Sequence, residues 1–351
     1  MTIFTSKDFD RHEFVTFKFD QESGLKAIIA IHDRTLGPAI GGCRMWPYQT
    51  EADAISDALR LSRGMTYKSA ISDLNYGGGK AVIIGDPKKD KSEKLLRAFG
   101  RMVQSLDGRY YTGEDVGMTV PDMDIVAQET DYALGLSGGT GDPGKATSFG
   151  VFKGIQAAMR FKFGHEDLGG VRIAVQGLGN VGYRLCEYLH KAGAKLIVAD
   201  IDSVKSKRVA GEFGATIAVP DEIHRSEADV FSPCALGSVI NDRSLREIQA
   251  PIIAGSANNQ LAEPRHGDEL MARGVLYAPD YVVNAGGLID VSSALNTYVL
   301  EDSLGHVARI YGRLLEIFER AAAEGRSTAA IADRMAEERF LRPSPIHSQA
   351  A

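Results

Sequence analysis

The stretch VRIAVQGLGNVGYRLCEYLHKAGAKLIVADID, residues 171–202, decides the fold. Its first apolar run, residues 173–175, is typical of a buried strand in a parallel sheet. A glycine-rich segment, residues 177–182, follows at once, and apolar side chains then recur at helical spacing. A second apolar run, residues 196–199, ends on Asp200. This order of strand, glycine-rich turn, helix and strand predicts a dinucleotide-binding βαβ unit.

The glycine-rich segment has the GxGxxG pattern, spelled Gly177-Leu178-Gly179-Asn180-Val181-Gly182. The first glycine allows a tight turn, the second lets the backbone approach a pyrophosphate, and the third lets the helix pack closely on the strand. The unpaired N–H groups at the helix N-terminus favour a phosphate there. We therefore expect these six residues to bind the cofactor. The alternative is an ordinary Rossmann-like unit that has lost its ligand.

The acid at the end of the second strand bears on which cofactor binds. Asp200 stands 18 residues after Gly182, close to the spacing expected for the acid that binds the adenosine ribose hydroxyls. A carboxylate there repels a 2′-phosphate, and the next residues, Ile201 and Asp202, offer no arginine to hold one. The sequence therefore favours NAD over NADP.

Length and composition exclude several classes of protein. The chain has 351 residues and a net charge of −6, which predicts two domains and argues against nucleic acid or an anionic membrane as partner. No apolar run approaches membrane-spanning length, and the N-terminal residues lack a signal-peptide layout. The three cysteines, Cys43, Cys186 and Cys234, are widely spaced, so we expect reduced thiols in a cytoplasmic protein. No spacing typical of metal ligands occurs.

The first half of the chain is predicted as α+β. Strands are expected at residues 13–19, 25–31, 39–46, 81–84 and 110–112. Thr50, with Asp53 three residues later, is expected to cap a helix that ends before Lys68. Residues 75–80 are expected to form a glycine-rich turn, and residues 92–106 a second helix.

The whole chain is predicted to have an α/β fold of two domains with a cleft between them. Residues 1–140 are assigned to a substrate-binding and oligomerisation domain, and residues 145–325 to a Rossmann-type NAD-binding domain. Residues 326–351 are expected to form a C-terminal helix and tail that pack back on the first domain. The glycine-rich residues 137–144 are interpreted as the hinge.

The Rossmann-type domain is expected to begin with a helix near Thr147 or Ser148. Further strands are predicted near Val230, Ile252 and Leu276, followed by residues 281–284. Two amphipathic helices are expected at residues 304–323 and 328–340.

Three charged residues in the first half would be unusual as scaffolding. Lys68 is expected to follow a helix, Lys80 follows three glycines, and Asp115 follows a strand end. A solvated surface position is the ordinary interpretation of a lone lysine. Three glycines before Lys80 indicate instead a sharp bend or the close approach of a ligand. Two lysines and one aspartate facing a nicotinamide would suit an amino-acid substrate.

Six motifs occur together and in order: Gly41-Gly42-Cys-Arg-Met, Gly-Met65-Thr-Tyr-Lys68, Gly-Gly-Gly-Lys80, Thr-Gly113-Glu-Asp115, Ala254-Gly-Ser-Ala-Asn-Asn-Gln260 and Asn284-Ala-Gly-Gly287. They resemble the Glu/Leu/Phe/Val dehydrogenase superfamily, and most closely its leucine, valine, phenylalanine and tryptophan dehydrogenases. The resemblance implies NAD-dependent, reversible oxidative deamination of an L-amino acid to a 2-oxo acid and ammonia, by a homo-oligomer.

The resemblance also assigns roles to single residues. Lys68 would bind the substrate carboxylate, Lys80 would be the general base acting through a water, and Asp115 would exchange protons with the amino group. The remaining substrate-binding positions implied are Gly41, Gly42, Met65, Ile40, Gly113, Val291 and Ala294. The remaining cofactor-binding positions implied are Thr147, Ala235, Asn259 and Asn284, of which Thr147, Asn259 and Asn284 would hold nicotinamide or substrate.

The preferred side chain of the substrate is less sharply defined. Glutamate-specific relatives have a lysine where Ile40 stands, so an apolar side chain is expected. Val291 resembles the branched-chain enzymes, whereas Gly113 resembles relatives that accept aromatic side chains, and Ala294 adds room. One methyl group in such a pocket changes discrimination by only about 1–3 kcal/mol. We expect leucine to be the best substrate, with phenylalanine or another aromatic amino acid as the alternative.

Two other functions stay open at this point. A catalytically silent NAD-binding interaction protein would have no reason to keep Lys68, Lys80 and Asp115 together. An NADP-dependent reductase is disfavoured by Asp200.

The sequence departs from the family pattern at Gly144-Lys145, where Ser-Pro is usual.

Overall fold

The computed structural model describes residues 3–138, 142–235, 237–295 and 299–341. The chain forms two compact units. One contains Met1–Gly141, Ala294–Asn296 and Ala336–Ala351, and the other contains Asp142–Ser293 and Thr297–Met335. Of the predicted hinge, residues 139–141 lie outside the described residues. Within the described part of the chain, no helix is long and apolar enough to cross a membrane.

The first unit is built on a five-stranded mixed sheet of order β1-β2-β4-β3-β5. Its strands are β1 (Phe14–Asp20), β2 (Leu25–Asp33), β3 (Ala39–Trp46), β4 (Gly77–Ile84) and β5 (Tyr110–Glu114), and its helices are α1 (Glu51–Ile71), α2 (Glu93–Gln104) and α3 (Val120–Val126). Strand β3 is parallel to both β4 and β5, whereas β2 is antiparallel to β1 and β4.

Helices cover both faces of this sheet. One face packs on α2 and α3 through a core that includes Met45, Ile83 and Phe99. The other face packs on α1 through a smaller core that includes Ile28, Val82 and Leu59. Helix α1 begins where the sequence predicts, because Thr50 and Asp53 form a reciprocal capping box.

The second unit is built on a six-stranded parallel sheet of order β8-β7-β6-β9-β10-β11. Its strands are β6 (Arg172–Gln176), β7 (Lys195–Ala199), β8 (Thr216–Ile217), β9 (Val230–Pro233), β10 (Ile252–Ile253) and β11 (Leu276–Tyr277). The strand order reverses between β6 and β9, as it does in dinucleotide-binding sheets, whose ligands lie at the carboxyl ends of the strands at this point. The predicted α/β class is confirmed.

Helices surround the second sheet. They are α4 (Pro143–Phe163), α5 (Asn180–Lys191), α6 (Ser203–Phe213), α7 (Asp242–Glu247), α8 (Arg265–Ala272), α9 (Asp280–Val283), α10 (Gly286–Ser293), α11 (Leu300–Ala308), α12 (Ile310–Glu324) and α13 (Thr328–Phe340). Residues of α13 up to Met335 group with the second unit, and from Ala336 onwards they group with the first. The last turn of α13 packs in the first unit, where Phe340 meets the ring of Tyr67 edge-on.

Two local predictions in the first unit are wrong. Helix α1 continues through Ile71, so Lys68 lies in its last turn rather than after its end. Residues 77–80 are part of strand β4 and do not form a turn before it. Glycine is required at position 78 because α1 packs directly on the strand. A Cβ there would lie 2.0 Å from the backbone nitrogen of Thr66.

The boundaries of the helices also differ in the second unit. Helix α4 begins at Pro143, capped by Asp142, and not near Thr147, because proline suits the first turn of a helix. The predicted helix at residues 304–323 is two helices, α11 and α12, that meet at Arg309. Residues 280–283 form the single turn α9.

Candidate active site

The substrate residues predicted in the first unit share one face of its sheet. Side chains alternate along a strand, and Ala39, Cys43 and Met45 of β3 point into the core beneath α2. Arg44 points the other way, because it contacts Asp57 of α1. The same alternation places Ile40 of β3 and Lys80 of β4 on the α1 face.

The chemical centre of this face is an ion pair between Lys80 and Asp115. The Lys80 Nζ lies 2.9 Å from Asp115 Oδ2. Lys80 is only 5% exposed, so its amine reaches this carboxylate from within the sheet. Asp115 follows the end of β5, where it keeps about a quarter of its side chain accessible, at 23%. The geometry provides a nitrogen and a carboxylate that can exchange protons with a small molecule at the surface of the pair.

A third charged residue, Arg44, binds the same carboxylate oxygen. Its Nε donates to Asp115 Oδ2 at 2.9 Å, and its Nη1 donates to Asp57 Oδ2 at 2.9 Å. The Tyr48 hydroxyl donates to that same Asp57 oxygen at 2.6 Å. Sequence analysis assigned no role to Arg44, Asp57 or Tyr48. The sequence signal for this cluster is an arginine within the otherwise buried strand β3, because a buried arginine requires an acidic partner.

The electrostatics of Asp115 follow from these neighbours. Burial raises the pKa of the Asp115 carboxyl, but the charges and hydrogen bonds of Lys80 and Arg44 outweigh burial and lower it to about 2. Asp115 is therefore a carboxylate near neutral pH, and it accepts hydrogen bonds from two cations.

Helix α1 supplies the other predicted substrate residues. Met65 and Lys68 are both half-buried and lie one helical turn apart, on the same side of α1. Met65 lies against β3, since its Cγ would be 3.4 Å from a Cβ placed on Gly41. Gly41 cannot carry a side chain, because that Cβ would lie 1.7 Å from the carbonyl oxygen of Gly79.

Two predicted residues, Ile40 and Gly113, bear on how much room the sheet leaves for a substrate side chain. Ile40 is 4% exposed and pairs with Gly78 of β4 and Tyr111 of β5 in the sheet. Gly113 of β5 pairs with Gly42 of β3. A Cβ on Gly113 would find only Leu134, at 3.8 Å or more, which is ordinary contact. The sheet therefore tolerates a methyl group at position 113.

In the second unit, the glycine-rich segment links β6 to α5 at the reversal of strand order. Gly177 has φ of 92°, a left-handed conformation that favours glycine. A Cβ on Gly182 would lie 2.0 Å from the Gly177 carbonyl oxygen, so the third glycine is required by close packing. Around Gly179, by contrast, nothing lies within 4 Å of a Cβ position. This open backbone at a helix N-terminus fits a pyrophosphate.

Asp200 lies beside that turn. Its Oδ2 accepts the Leu178 backbone N–H at 2.7 Å, and its Oδ1 accepts the Asp202 backbone N–H at 2.9 Å. These bonds hold the carboxylate in place, and each oxygen keeps a lone pair for a further donor. A pair of adjacent ribose hydroxyls fits this arrangement.

One more predicted residue meets the glycine-rich segment, and two of the segment's own residues lie in the first turn of α5. Ala235 follows β9, and its backbone nitrogen would lie 2.9 Å from a Cβ on Gly177. Asn180 donates from Nδ2 to Asp142 Oδ1 at 2.6 Å, and Arg184 donates to Asp142 Oδ2 at 2.9 Å. Val181 is half-buried in the first turn of α5. Asp142, which the sequence analysis did not single out, therefore holds the start of α5.

The two asparagines predicted to hold nicotinamide or substrate differ in exposure. Asn284 is buried and donates from Nδ2 to Asn258 Oδ1 at 2.7 Å and to the Ser256 carbonyl at 3.1 Å. Its Oδ1 is buried with no hydrogen-bond partner, which fits an amide donor such as a nicotinamide carboxamide. Asn259 is exposed and has φ of 51°. Asn258, which the sequence analysis did not assign, is thus the asparagine that contacts Asn284.

The remaining predicted residues lie near α10, within it or just after it. Thr147 lies in α4, where its hydroxyl donates to the Pro143 carbonyl at 2.9 Å. That hydroxyl would be 2.8 Å from a Cβ on Gly287, so α4 and the start of α10 pack closely. Val291 is half-buried in α10, and Ala294 is exposed just after it.

Comparison with known proteins gives a consistent result. The family model described as Glu/Leu/Phe/Val dehydrogenase, dimerisation domain, matches residues 10–132. The model described as Glutamate/Leucine/Phenylalanine/Valine dehydrogenase matches residues 138–205 and 198–298.

Individual relatives cover nearly the whole chain. It is 54% identical over 343 residues to leucine dehydrogenase of Geobacillus stearothermophilus, covering 97% of this chain and 94% of the relative. It is 48% identical over 337 residues to phenylalanine dehydrogenase of Bacillus thermotolerans, covering 94% and 88%. The crystal structure of L-tryptophan dehydrogenase from Nostoc punctiforme superposes with a TM-score of 0.84 at 47% identity, covering 94% and 96%.

Proposed function

The chain belongs to the Glu/Leu/Phe/Val dehydrogenase family, and from that premise we propose that it deaminates L-leucine oxidatively with NAD. As a member of this family it is an amino-acid dehydrogenase, an oxidoreductase. The products of the proposed reaction are the 2-oxo acid and ammonia, and the reaction is reversible. The observation that carries the proposal is the buried Lys80–Asp115 pair, with Met65 and Lys68 on the helix that covers the same sheet face.

The residues divide the work by charge. Lys68 binds the substrate carboxylate as a charge-assisted pair. The glycine-rich segment 177–182 and Asp200 would hold NAD, which would supply the hydride acceptor for the substrate Cα. Loss of that hydride would leave an iminium on the substrate. Once its own proton has passed to solvent, the neutral amine of Lys80 takes a proton from the water that attacks the iminium carbon. Asp115 exchanges protons with the nitrogen, which leaves as ammonia when the carbonyl forms.

NAD is supported by the site rather than by a bound molecule. The Asp200 carboxylate is fixed by two backbone N–H groups and keeps lone pairs for ribose hydroxyls. A 2′-phosphate would place a second negative charge against it. The open backbone at Gly179 supports pyrophosphate binding, and the unpaired Asn284 Oδ1 supports carboxamide binding.

The apolar substrate is supported by Ile40. It is buried on the α1 face and offers no charge to a glutamate side chain, whose carboxylate would be costly to bury unpaired. Leucine is supported by the 54% identity to a leucine dehydrogenase.

An aromatic substrate is the second candidate, and Gly113 favours it. The lack of a side chain at this position leaves space that a ring could use. Relatives named phenylalanine and tryptophan dehydrogenases are nearly as similar, at 48% and 49% identity.

A substrate panel tests the proposal. NADH formation is followed with leucine, valine, phenylalanine, tryptophan and glutamate, and the reverse reaction with ammonia and the matching 2-oxo acids. We expect the highest kcat/KM with leucine, measurable turnover of phenylalanine and none of glutamate. Faster turnover of an aromatic amino acid would select the second candidate, and a preference for glutamate would contradict the apolar site.

We also propose self-association through the first unit, on the basis of the family model for residues 10–132. Light scattering coupled to size-exclusion chromatography measures the mass directly. A mass of one chain at micromolar concentration would contradict this proposal.

A further inference from the structure

Arg44 links the catalytic pair to helix α1. Its guanidinium contacts Asp115 and a second partly buried carboxylate, that of Asp57. Arg44 is 22% exposed at its side chain and Asp57 is 12% exposed, so water screens neither ion pair strongly. The five side chains Tyr48, Asp57, Arg44, Asp115 and Lys80 form one continuous series of hydrogen bonds and ion pairs.

We propose that Arg44 is a positioning residue for the reaction, which holds the Asp115 carboxylate opposite Lys80 while Asp57 and Tyr48 hold Arg44. This inference rests on the proposed function, because it gives Asp115 and Lys80 their roles there. It extends that function by assigning a task to a residue that touches neither substrate nor cofactor.

The geometry of the guanidinium group explains why arginine is needed. Nε binds Asp115 and Nη1 binds Asp57, so two edges of one rigid plane fix two carboxylates on different elements. A lysine has a single ammonium on a flexible stem and cannot reproduce this spacing. Both Arg44 and Lys80 bind the same oxygen of Asp115, which leaves Oδ1 to face a substrate nitrogen.

The cost of losing Arg44 falls on Asp115. The carboxylate would keep a single cation, Lys80, while its burial stayed the same. Cys43, Tyr48 and Tyr110 supply no cation in its place, because burial raises the pKa of the Cys43 thiol and of both tyrosine hydroxyls and keeps these groups neutral. Asp57 is itself an acid and supplies no cation either. Without Arg44, Asp115 therefore holds a proton at higher pH.

The experiment compares Arg44→Met, Arg44→Lys and the control Arg60→Met. Arg60 also binds Asp57, with Nη2 at 2.8 Å from Oδ1, the carboxylate oxygen that Arg44 does not use. We expect Arg44→Met to lower kcat about 100-fold and to move the acidic limb of the kcat profile upward by about one pH unit or more. Arg44→Lys should keep the limb near that of the native enzyme but lower kcat about tenfold. Arg60→Met should behave as the native enzyme.

A second readout keeps the test independent of activity. Carbon-13 labelling of aspartate, with Asp115→Asn used to assign the signal, reports the protonation of Asp115 in each folded variant. We expect it to titrate at higher pH in Arg44→Met than in the native protein. If Arg44→Met does not fold, native kcat in Arg44→Lys overturns the proposal. A folded Arg44→Met with an unchanged acidic limb and an unchanged carbon-13 titration overturns it as well. A native enzyme inactive on every amino acid would instead contradict the proposed function, while the carbon-13 titration would still test Arg44.

Discussion

The charged cluster of the first unit and the glycine-rich turn of the second are built from different parts of the chain. Around Lys80 and Asp115 the working groups are side chains, held by further buried side chains from β3 and α1. Around residues 177–182 they are backbone N–H groups, and glycine is required at Gly177 by its conformation and at Gly182 by close packing. In the proposed function the first design would fix proton positions, and the second would hold a phosphate-bearing ligand through backbone N–H groups.

Because of this difference, the two regions are sensitive to different kinds of substitution. A cluster of buried charges depends on every partner, because removing one leaves another uncompensated. A site built from backbone groups depends on close packing, so it is disrupted by substitutions that add atoms.

Removal of the Lys80 amine should have the largest effect. We expect Lys80→Met to lower kcat about a thousand-fold, since the group that takes the proton from water is lost. Lys91→Met is the matched control, because Lys91 also pairs with an aspartate, at 2.7 Å from Asp122, and this ion pair does not involve Asp115. Circular dichroism establishes that both variants are folded. If folded Lys80→Met kept a tenth of the native kcat, Lys80 would not be the base.

Acid should weaken the first unit through His32. This histidine is 4% exposed, and burial and the neighbouring His12 lower its pKa to about 4. The unfolded chain, with an ordinary pKa near 6.5, then binds more protons between these values. The neutral histidine contributes its full stability above pH 6.5 and loses it as pH falls towards 4, by about 3 kcal/mol at most.

Urea unfolding at pH 7 and pH 5 measures this effect. We expect the native protein to lose more unfolding free energy than His32→Gln over this interval, whereas the exposed His165→Gln should lose as much as the native protein. Equal losses in the native protein and His32→Gln would mean that His32 does not stay neutral in the fold.

A substitution at Asp200 tests the cofactor site of the second unit by removing one side-chain charge. We expect Asp200→Asn to raise the NADP/NAD ratio of kcat/KM about tenfold, which corresponds to about 1.4 kcal/mol, because the amide does not repel a 2′-phosphate. Asp202→Asn is the control, since Asp202 lies two residues away and caps α6. A native enzyme that prefers NADP, or an unchanged ratio in Asp200→Asn, would rule out this role.

Gly113→Ala should have the smallest effect. The added methyl group meets only Leu134 at ordinary distance, so the fold should be unaffected. We expect the phenylalanine/leucine ratio of kcat/KM to fall about fivefold, because the methyl group intrudes first on the larger ring. An unchanged ratio would show that position 113 does not line the pocket.

The two regions also differ in how well sequence predicts them. The turn at residues 177–182 is a local pattern, and its strand, helix and terminal acid are contiguous in the chain, so its form follows from spacing alone. Lys80 and Asp115 are 35 positions apart, and the motifs that resemble the family singled them out without showing that they touch. Arg44 stood in one of those motifs, yet its two partners, at positions 57 and 115, can be identified only when the sheet and α1 are assembled.

The errors have local physical causes. The sequence predicts that helix α1 ends before Lys68, whereas in the structure the helix packs closely on Gly78 and continues to Ile71. The glycines before Lys80 predict a turn, because the neighbouring sequence does not indicate that helix α1 packs directly on them.

The central claim is that the first unit carries the chemistry and the second holds the cofactor. The most direct test is the Kd of NADH, measured by its fluorescence, in Lys80→Met and Gly182→Ala side by side. We expect Lys80→Met to bind NADH as the native enzyme does. Gly182→Ala should bind it at least tenfold more weakly, because its Cβ would lie 2.0 Å from the Gly177 carbonyl oxygen and displace the turn. Native affinity in Gly182→Ala, or an equal loss in both variants, would contradict the claim.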